Sequence, residues 1–300
     1  MNLPPDFIQT IQNTFQRNGK AWLSELPDLI AEASRRWDLT DIQPVPNLSY
    51  NFVAYAKHNS GNVILKIGVQ NNELTSGIAA LQLYNGRGAC RLLDADTEKG
   101  MLLLERLVPG RMLAAVMDDK QATRIAAHVM TKLWQPAPEN RENFIQLADW
   151  FDGFKRLRKR FDGSTGPFPE DLVARAEKLS GALLSENKDE TLLHGDFHHF
   201  NVLEAERGWL AIDPKGVIGP RGYEVGPLLM NPVPKFLNGS RPKAQTEMRI
   251  AVLSEVLGME RERIRAWALC HAILSAWWSL EEGQNWAYAV HCGEIFAALG

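Results

Sequence analysis

The sequence predicts an α+β fold in two lobes: a small β-rich N-lobe with extra N-terminal helices over residues 1–107, and a larger, mostly helical C-lobe over residues 108–300. Three observations predict it. Apolar, aromatic and β-branched runs cluster between Ser49 and Leu107. Beyond the break at Val108-Pro109-Gly110, apolar residues recur at helical spacing instead. A length of 300 residues allows two lobes of ordinary domain size, and 45% hydrophobic with 23% charged residues provides ample core. Strands first and helices afterwards segregate the two kinds of element, which is the α+β pattern.

The elements follow in chain order. Between Pro5 and Trp37, Phe7, Ile8, Ile11 and Phe15 form one apolar face, and Trp22, Leu23, Leu26, Leu29 and Ile30 a second. That spacing gives one or two helices on the outside of a lobe. Asp38 to Pro46 is turn-rich. Ser49–Ala56 and Val63–Val69 are strand-forming runs joined by His58-Asn59-Ser60-Gly61-Asn62, an antiparallel hairpin. Asn71 or Asn72 caps a helix from Glu73 to Tyr84 whose Leu74, Ile78 and Leu81 share a face. Ala89–Leu93 and Met101–Leu107 are two further strands, and Glu105–Gly110 is the hinge between lobes. Helices are then expected at Ala114–Trp134, Phe144–Phe161 and Pro169–Leu184. After a loop bearing Pro227, Pro232, Pro234 and Pro242, two or three more helices finish the chain.

Bulk properties exclude several functional classes. The formal net charge of −3 offers no basic field for nucleic acid, and a mild acidic bias is compatible with a cationic ligand. The basic run Arg156-Leu157-Arg158-Lys159-Arg160 lacks interleaved aromatics and is best explained as a solvated helix face. Cys90, Cys270 and Cys292 are odd in number and form no C-x-x-C pair, which predicts reduced thiols and a cytoplasmic protein. The opening Met1-Asn2-Leu3-Pro4-Pro5-Asp6 has no basic stretch leading into an apolar run, so no secretory signal is expected. The apolar stretch Ala266–Leu280 is shorter than the ~20 residues that span a bilayer, so no membrane partner is expected.

The chemistry-bearing segment lies further on. His194-Gly195-Asp196 is flanked by the apolar pairs Leu192-Leu193 and Val202-Leu203, and Asn201 follows Asp196. A second strand-like run, Trp209-Leu210-Ala211-Ile212, ends in Asp213. The turn between the runs is Glu204-Ala205-Glu206-Arg207-Gly208, so Asn201 and Asp213 stand at the open ends of one hairpin. Phosphoryl transfer from ATP needs a carboxylate to orient or deprotonate the attacking hydroxyl, and hard oxygen ligands for Mg²⁺ beside the phosphates. Enzymes of the protein-kinase type use an Asp, an Asn five residues on, and a second Asp beyond a hairpin. Asp196, Asn201 and Asp213 reproduce that set. His194-Gly195-Asp196 by itself is explained as well by a turn; the combination is not. His198 and His199 lack partners at metal-ligand spacing and serve, like His194, to structure the loop.

Two long motifs extend the pattern: Leu193-His194-Gly195-Asp196-Phe197-His198-His199-Phe200-Asn201-Val202-Leu203 and Gly208-Trp209-Leu210-Ala211-Ile212-Asp213-Pro214-Lys215-Gly216. With them go Asn85-Gly86-Arg87-Gly88-Ala89-Cys90-Arg91-Leu92-Leu93, Leu102-Leu103-Leu104-Glu105-Arg106 and the late Ser275-Ala276-Trp277-Trp278. From about residue 48 onward the chain resembles the aminoglycoside phosphotransferase superfamily. The Asp-Pro-Lys-Gly continuation narrows the resemblance to the aminoglycoside/hydroxyurea resistance kinases, the streptomycin 6-phosphotransferase-like branch. The resemblance implies a protein-kinase-like fold, ATP and Mg²⁺, and transfer of the γ-phosphoryl group to a hydroxyl of an aminoglycoside or related small molecule. Rival readings are a metabolite kinase of the same superfamily, acting on a sugar, choline or homoserine, and a non-catalytic nucleotide-binding regulator. Oligomeric state is not legible.

Residue by residue, the resemblance makes Asp196 the catalytic base and gives Mg²⁺ to Asn201 and Asp213. Lys66, in the strand Ile64-Leu65-Lys66-Ile67, would contact the ATP α- and β-phosphates, although it also suits an edge strand. Glu73 is the nearest carboxylate candidate for its counter-charge, or else a first-turn glutamate favoured by the helix dipole. Glu105 to Leu107 would offer backbone hydrogen bonds to adenine. At the acceptor, Glu281 and Glu282 at a helix end, with aromatic faces such as Trp277, either meet a cationic substrate or stand as surface acids and core rings. The chain departs from the wider family at three places. Asp213-Pro214-Lys215 replaces Asp-Phe-Gly, Gly77 stands where a helix glutamate is expected, and no glycine-rich loop precedes the first hairpin. A polar loop around Ser49 and Asn51 would have to cover the phosphates instead.

Overall fold

The computed structural model describes residues 3–185, 190–232 and 242–299. The first helical run, α1 (Pro5–Arg36), begins with proline, where no intrahelical amide bond is lost. It breaks at Gln16, which adopts φ 49 and ψ −120, so the two expected apolar faces sit on either side of a kink. Phe7, Ile11, Trp22, Leu26 and Ala33 of this run are buried in one cluster with Phe52, Leu65 and Ile67.

The strands β1 (Thr40–Pro44), β2 (Asn51–His58), β3 (Gly61–Gly68), β4 (Leu92–Asp96) and β5 (Met101–Glu105) form an antiparallel sheet in the order β1-β2-β3-β5-β4. Helix α2 (Asn72–Tyr84) connects β3 to β4; the Asn71 side chain caps it by accepting the Leu74 N–H at 2.8 Å. Side chains alternate across a strand, and this alternation decides what lies where. Met101 and Leu103 join the cluster under α1, whereas Leu102 and Leu104 face the other way, into the core shared with α2. Lys66 lies between Leu65 and Ile67 and opposite Leu102 in register, so it too faces away from α1.

Beyond β5, strand β6 (Pro109–Met112) pairs with the second hairpin rather than the first sheet. The small strands β7 (Gln135–Pro136), β8 (Ile145–Gln146), β9 (Thr191–Leu193) and β12 (Val217–Gly219) form one sheet, and the hairpin β10 (Val202–Ala205) and β11 (Gly208–Ala211) joins β6 in another. The rest is helical: α3 (Asp119–Leu133), α4 (Leu147–Phe151), α5 (Gly153–Arg160), α6 (Glu170–Ser185), α7 (Val225–Leu229), α8 (Pro242–Leu257), α9 (Arg261–Glu281) and α10 (Ala287–Ala298). Helix α9 is the axis of this part. It is apolar on most sides, as a helix enclosed by others must be, and packs against α5, α6, α7, α8 and α10.

The α+β expectation, with an antiparallel-sheet N-lobe and a mostly helical C-lobe, holds. Several boundaries differ for local reasons. The helix expected at Ala114–Trp134 starts at Asp119, because Asp118 caps it by accepting from the N–H groups of Lys120 and Gln121; Leu113–Ala115 is a separate 3₁₀ turn. The helix expected at Phe144–Phe161 is a short strand followed by two helices that meet at Asp152. Ala89 and Cys90 do not begin a strand of the first sheet. The Cys90 N–H donates to the Ala211 carbonyl at 2.8 Å instead, tying the segment before β4 to the end of β11. Of the prolines in the late loop, Pro234 lies outside the described residues.

Candidate active site

His194, Gly195 and Asp196 leave β9 as a tight turn. Gly195 takes φ +86, and a Cβ there would sit 2.5 Å from Val217 Cγ2, so the position requires glycine. The N–H groups of His194 and Gly195 donate to the two carboxylate oxygens of buried Glu224, at 3.0 and 2.9 Å. Burial pushes the Glu224 carboxyl up to about 7, against the pull of those two N–H donors. The His194 ring braces the other side of the turn. Its Nδ1 accepts the Asp196 N–H at 3.3 Å, and its Nε2 lies 2.8 Å from the Ile212 carbonyl, to which it therefore donates. Burial drives the His194 imidazole down to about 4, so it is neutral at pH 7. His194 thus fixes the loop through backbone groups. Asp196 emerges from it into a cleft of about 860 Å³.

Asn201 and Asp213 meet at the end of the β10–β11 hairpin, where the Ile212 N–H donates to the Asn201 carbonyl at 2.9 Å. The Asn201 amide nitrogen donates to the Asp196 carbonyl at 3.0 Å, which orients the side-chain oxygen as the free end. Asp213 holds φ +59, an uncommon value for a residue with a side chain, and its carboxylate pairs with the Lys66 ammonium. Burial pushes the Asp213 carboxyl up, but the Lys66 and Lys215 ammoniums outweigh it and hold the group well below the usual carboxylate range. The cleft therefore gathers a carboxylate in Asp196, an ionised carboxylate in Asp213 and a lysine from the first sheet, with an oriented amide oxygen behind them. Carboxylate and amide oxygens are the hard donors that suit Mg²⁺, and lysine suits phosphate.

The model of the aminoglycoside/hydroxyurea antibiotic resistance kinases matches residues 36–283. The chain belongs to this family. It is 29% identical over 286 residues to a streptomycin 6-kinase of Streptomyces glaucescens, covering 94% of this chain and 92% of that one. A hydroxyurea phosphotransferase of Kitasatospora aureofaciens is 29% identical over 289 residues, covering 95% and 82%. Among solved structures, the aminoglycoside phosphotransferase APH(4)-Ia superposes with a TM-score of 0.63 at 14% identity, over 91% of this chain and 98% of that one. The fold is thus protein-kinase-like, and the chain is a phosphotransferase with an alcohol group as acceptor.

In this kinase the sequence-predicted ion pair between Lys66 and Glu73 does not form. Lys66 pairs with Asp213, and Glu73 reaches Lys215 at 2.9 Å. The cause is the packing of α2. At Gly77 a Cβ would lie 2.4 Å from the Pro214 carbonyl oxygen, so the helix rests directly on the Asp213-Pro214-Lys215-Gly216 loop. The buried Ser76 hydroxyl donates to the Gly216 carbonyl beside it. A glutamate at Gly77 has no room, and Glu73, one turn earlier, meets the loop's own lysine.

The acceptor residues also need correction. Trp277 is 2% exposed and belongs to the core; its neighbour Trp278 lines the cleft. Glu281 pairs with Arg156 at 3.2 Å, away from the lining, whereas Glu282 is part of it. Asn51 lines the cleft and Ser49 does not. Neither Glu105 nor Leu107 lines it. The Glu105 carboxylate accepts the Arg91 N–H and pairs with Arg207, its own N–H donates to the Arg91 carbonyl at 3.0 Å, and Leu107 is buried. Residues that sequence reasoning passed over include Glu224, Trp150, His271, Thr14 and Phe15, of which the last four line the cleft. No local signal marks them. Lys215 was visible within the Asp-Pro-Lys-Gly motif, although not as a partner for Glu73.

Proposed function

We propose that this kinase transfers the γ-phosphoryl group of ATP to a hydroxyl of an aminoglycoside of the streptomycin type. The observation that carries the reading is that Lys66, from the first sheet, lines one cleft with Asp196 and Asp213 of the distant hairpin segment. In this reading the acceptor O–H faces the Asp196 carboxylate. Its proton passes to that carboxylate as the new O–P bond forms and the bond to the departing ADP breaks. Lys66 releases Asp213 and contacts the α- and β-phosphates. Asn201 and Asp213 would hold Mg²⁺, which would neutralise phosphate charge. The backbone bonds of Glu224 and His194 keep the loop from yielding during this step, so positioning supplies most of the acceleration.

The choice of a cationic acceptor rests on the far wall. Glu73 and Glu282 line the cleft with the indoles of Trp150 and Trp278. Burial and the neighbouring carboxylates of Glu73 and Glu281 push the Glu282 carboxyl up, against the pull of Lys215. A bound cation would relieve that repulsion, and aromatic faces favour cations and sugar rings alike. The three cysteines are free and buried, and no described helix is long and apolar enough to cross a membrane. Both facts are compatible with action in the cytoplasm. The test is Asp196→Ala, assayed with Mg²⁺, ATP and streptomycin. Acceptor-dependent ADP release should be lost while Mg²⁺-dependent thermal stabilisation by ATP persists. Wild-type turnover in that variant would sink the assignment.

A further inference from the structure

Deep in the acceptor wall, α9 carries a histidine that the phosphoryl-transfer set does not use. The His271 ring lines the cleft together with Asp196, Trp150, Trp278 and Glu282, and only 8% of the residue is exposed. Its ring packs edge to face against Trp278 with centroids 6.2 Å apart and against Tyr223 at 5.4 Å. Gly226 admits it: a Cβ on that glycine would fall 2.5 Å from the His271 Cβ. The Trp150 indole continues the wall to the catalytic loop, stacking edge-on to Trp278 at 5.2 Å and reaching within 3.2 Å of where a Cβ on Gly195 would stand.

The hydrogen bonding of this histidine fixes its tautomer. Tyr223 is fully buried, and its hydroxyl lies 2.9 Å from His271 Nδ1. Among the described residues that hydroxyl has no other acceptor. A buried O–H must donate, so Nδ1 accepts and the proton of the neutral ring resides on Nε2. Nε2 has no partner among the described residues and is not sealed in the core, so it opens on the cleft. Burial lowers the imidazole to about 4 even with Asp196 nearby, which keeps the ring neutral and spares a cationic acceptor from repulsion.

We propose that His271, set in its Nε2–H form by Tyr223, hydrogen-bonds an oxygen of the acceptor seated against the Trp150–Trp278 wall and so presents the reactive hydroxyl to Asp196. The inference rests on the aminoglycoside reading above. Its test is steady-state kinetics with streptomycin and Mg²⁺-ATP on His271→Phe, which keeps a ring but loses the donor, on His271→Asn, which keeps an N–H, and on Tyr223→Phe. His271→Phe should raise KM for streptomycin roughly tenfold, the effect of one lost hydrogen bond to a site group, with KM for ATP within about twofold of the parent. His271→Asn should recover part of that loss. Tyr223→Phe, which no longer fixes the tautomer, should fall between, and it serves as the probe if His271→Phe does not fold. A parent that phosphorylates streptomycin alongside folded His271→Phe and Tyr223→Phe variants with unchanged KM overturns the role of His271 and leaves the kinase reading standing. A parent that does not phosphorylate streptomycin overturns the aminoglycoside reading, and this inference with it.

Discussion

Glu224 shows how one buried side chain that does not line the cleft can hold the loop that carries Asp196. Its two oxygens accept the N–H groups of His194 and Gly195, and it stands thirty and twenty-nine residues from them in sequence. Its folded value of about 7 lies above the usual carboxylate range, so it contributes stability that is fully present below the unfolded value and is lost as pH rises through about 7. His194 and His271, lowered to about 4, act in the opposite sense: their contribution is present above the ordinary histidine value and is lost as pH falls through about 4. Between these limits two histidines outweigh one glutamate, so acidification from about pH 6.5 to 4.5 should lower Tm. Glu224→Gln removes the opposing group and leaves one loop N–H without its acceptor, a loss of about 1–3 kcal/mol. Thermal unfolding across pH should show its Tm deficit largest in acid and narrowing as pH rises through about 7. A deficit that widens with pH would contradict the assignment.

Helix α2 is positioned by what its residues lack. Glycine inside a helix costs about 1 kcal/mol relative to alanine where nothing packs on it. Here Gly77 lets the helix touch the Pro214 carbonyl, and Gly216, at φ +68, accepts the same close approach from the Ser76 carbonyl. Gly77→Ala should therefore destabilise the protein, by about 1–3 kcal/mol of overpacking, instead of stabilising it as helix propensity alone would have it. Because the contact also sets the Asp213 loop against Lys66, KM for ATP should rise in the same variant. Urea denaturation and ATP kinetics read the two effects separately.

Among the described residues, three ion pairs join the first sheet and its helix to the half that carries Asp196: Lys66 with Asp213, Glu73 with Lys215, and Glu105 with Arg207. The second is partly solvated, with side chains 50% and 31% exposed, so its direct contribution should be small. A double-mutant cycle of Glu73→Gln and Lys215→Met, followed by chemical denaturation, should give a coupling of no more than about 1 kcal/mol that shrinks in high salt. A coupling of several kcal/mol would mean that the pair is effectively dry.

The sequence by itself determined the turn that carries Asp196 and the hairpin that brings Asn201 to Asp213, because these spacings are local, and local geometry is written in turn residues and strand runs. The hairpin β2–β3, helix α2 and the longer helices beyond residue 118 were legible for the same reason; β1, expected as a turn-rich link, and the short strands β6, β7, β8 and β12 were not, because strands of two to five residues carry too little alternation to be read. Only the tertiary structure decided the partners. Lys66 and Asp213 are separated by 147 positions and Glu73 and Lys215 by 142, and the absence of a side chain at Gly77 set which carboxylate met which lysine. Only the rotation of α9 about its own axis decided that Trp277 is core while Trp278 and His271 face the cleft, since a helix apolar on most sides carries no periodicity from which its inward face could be read.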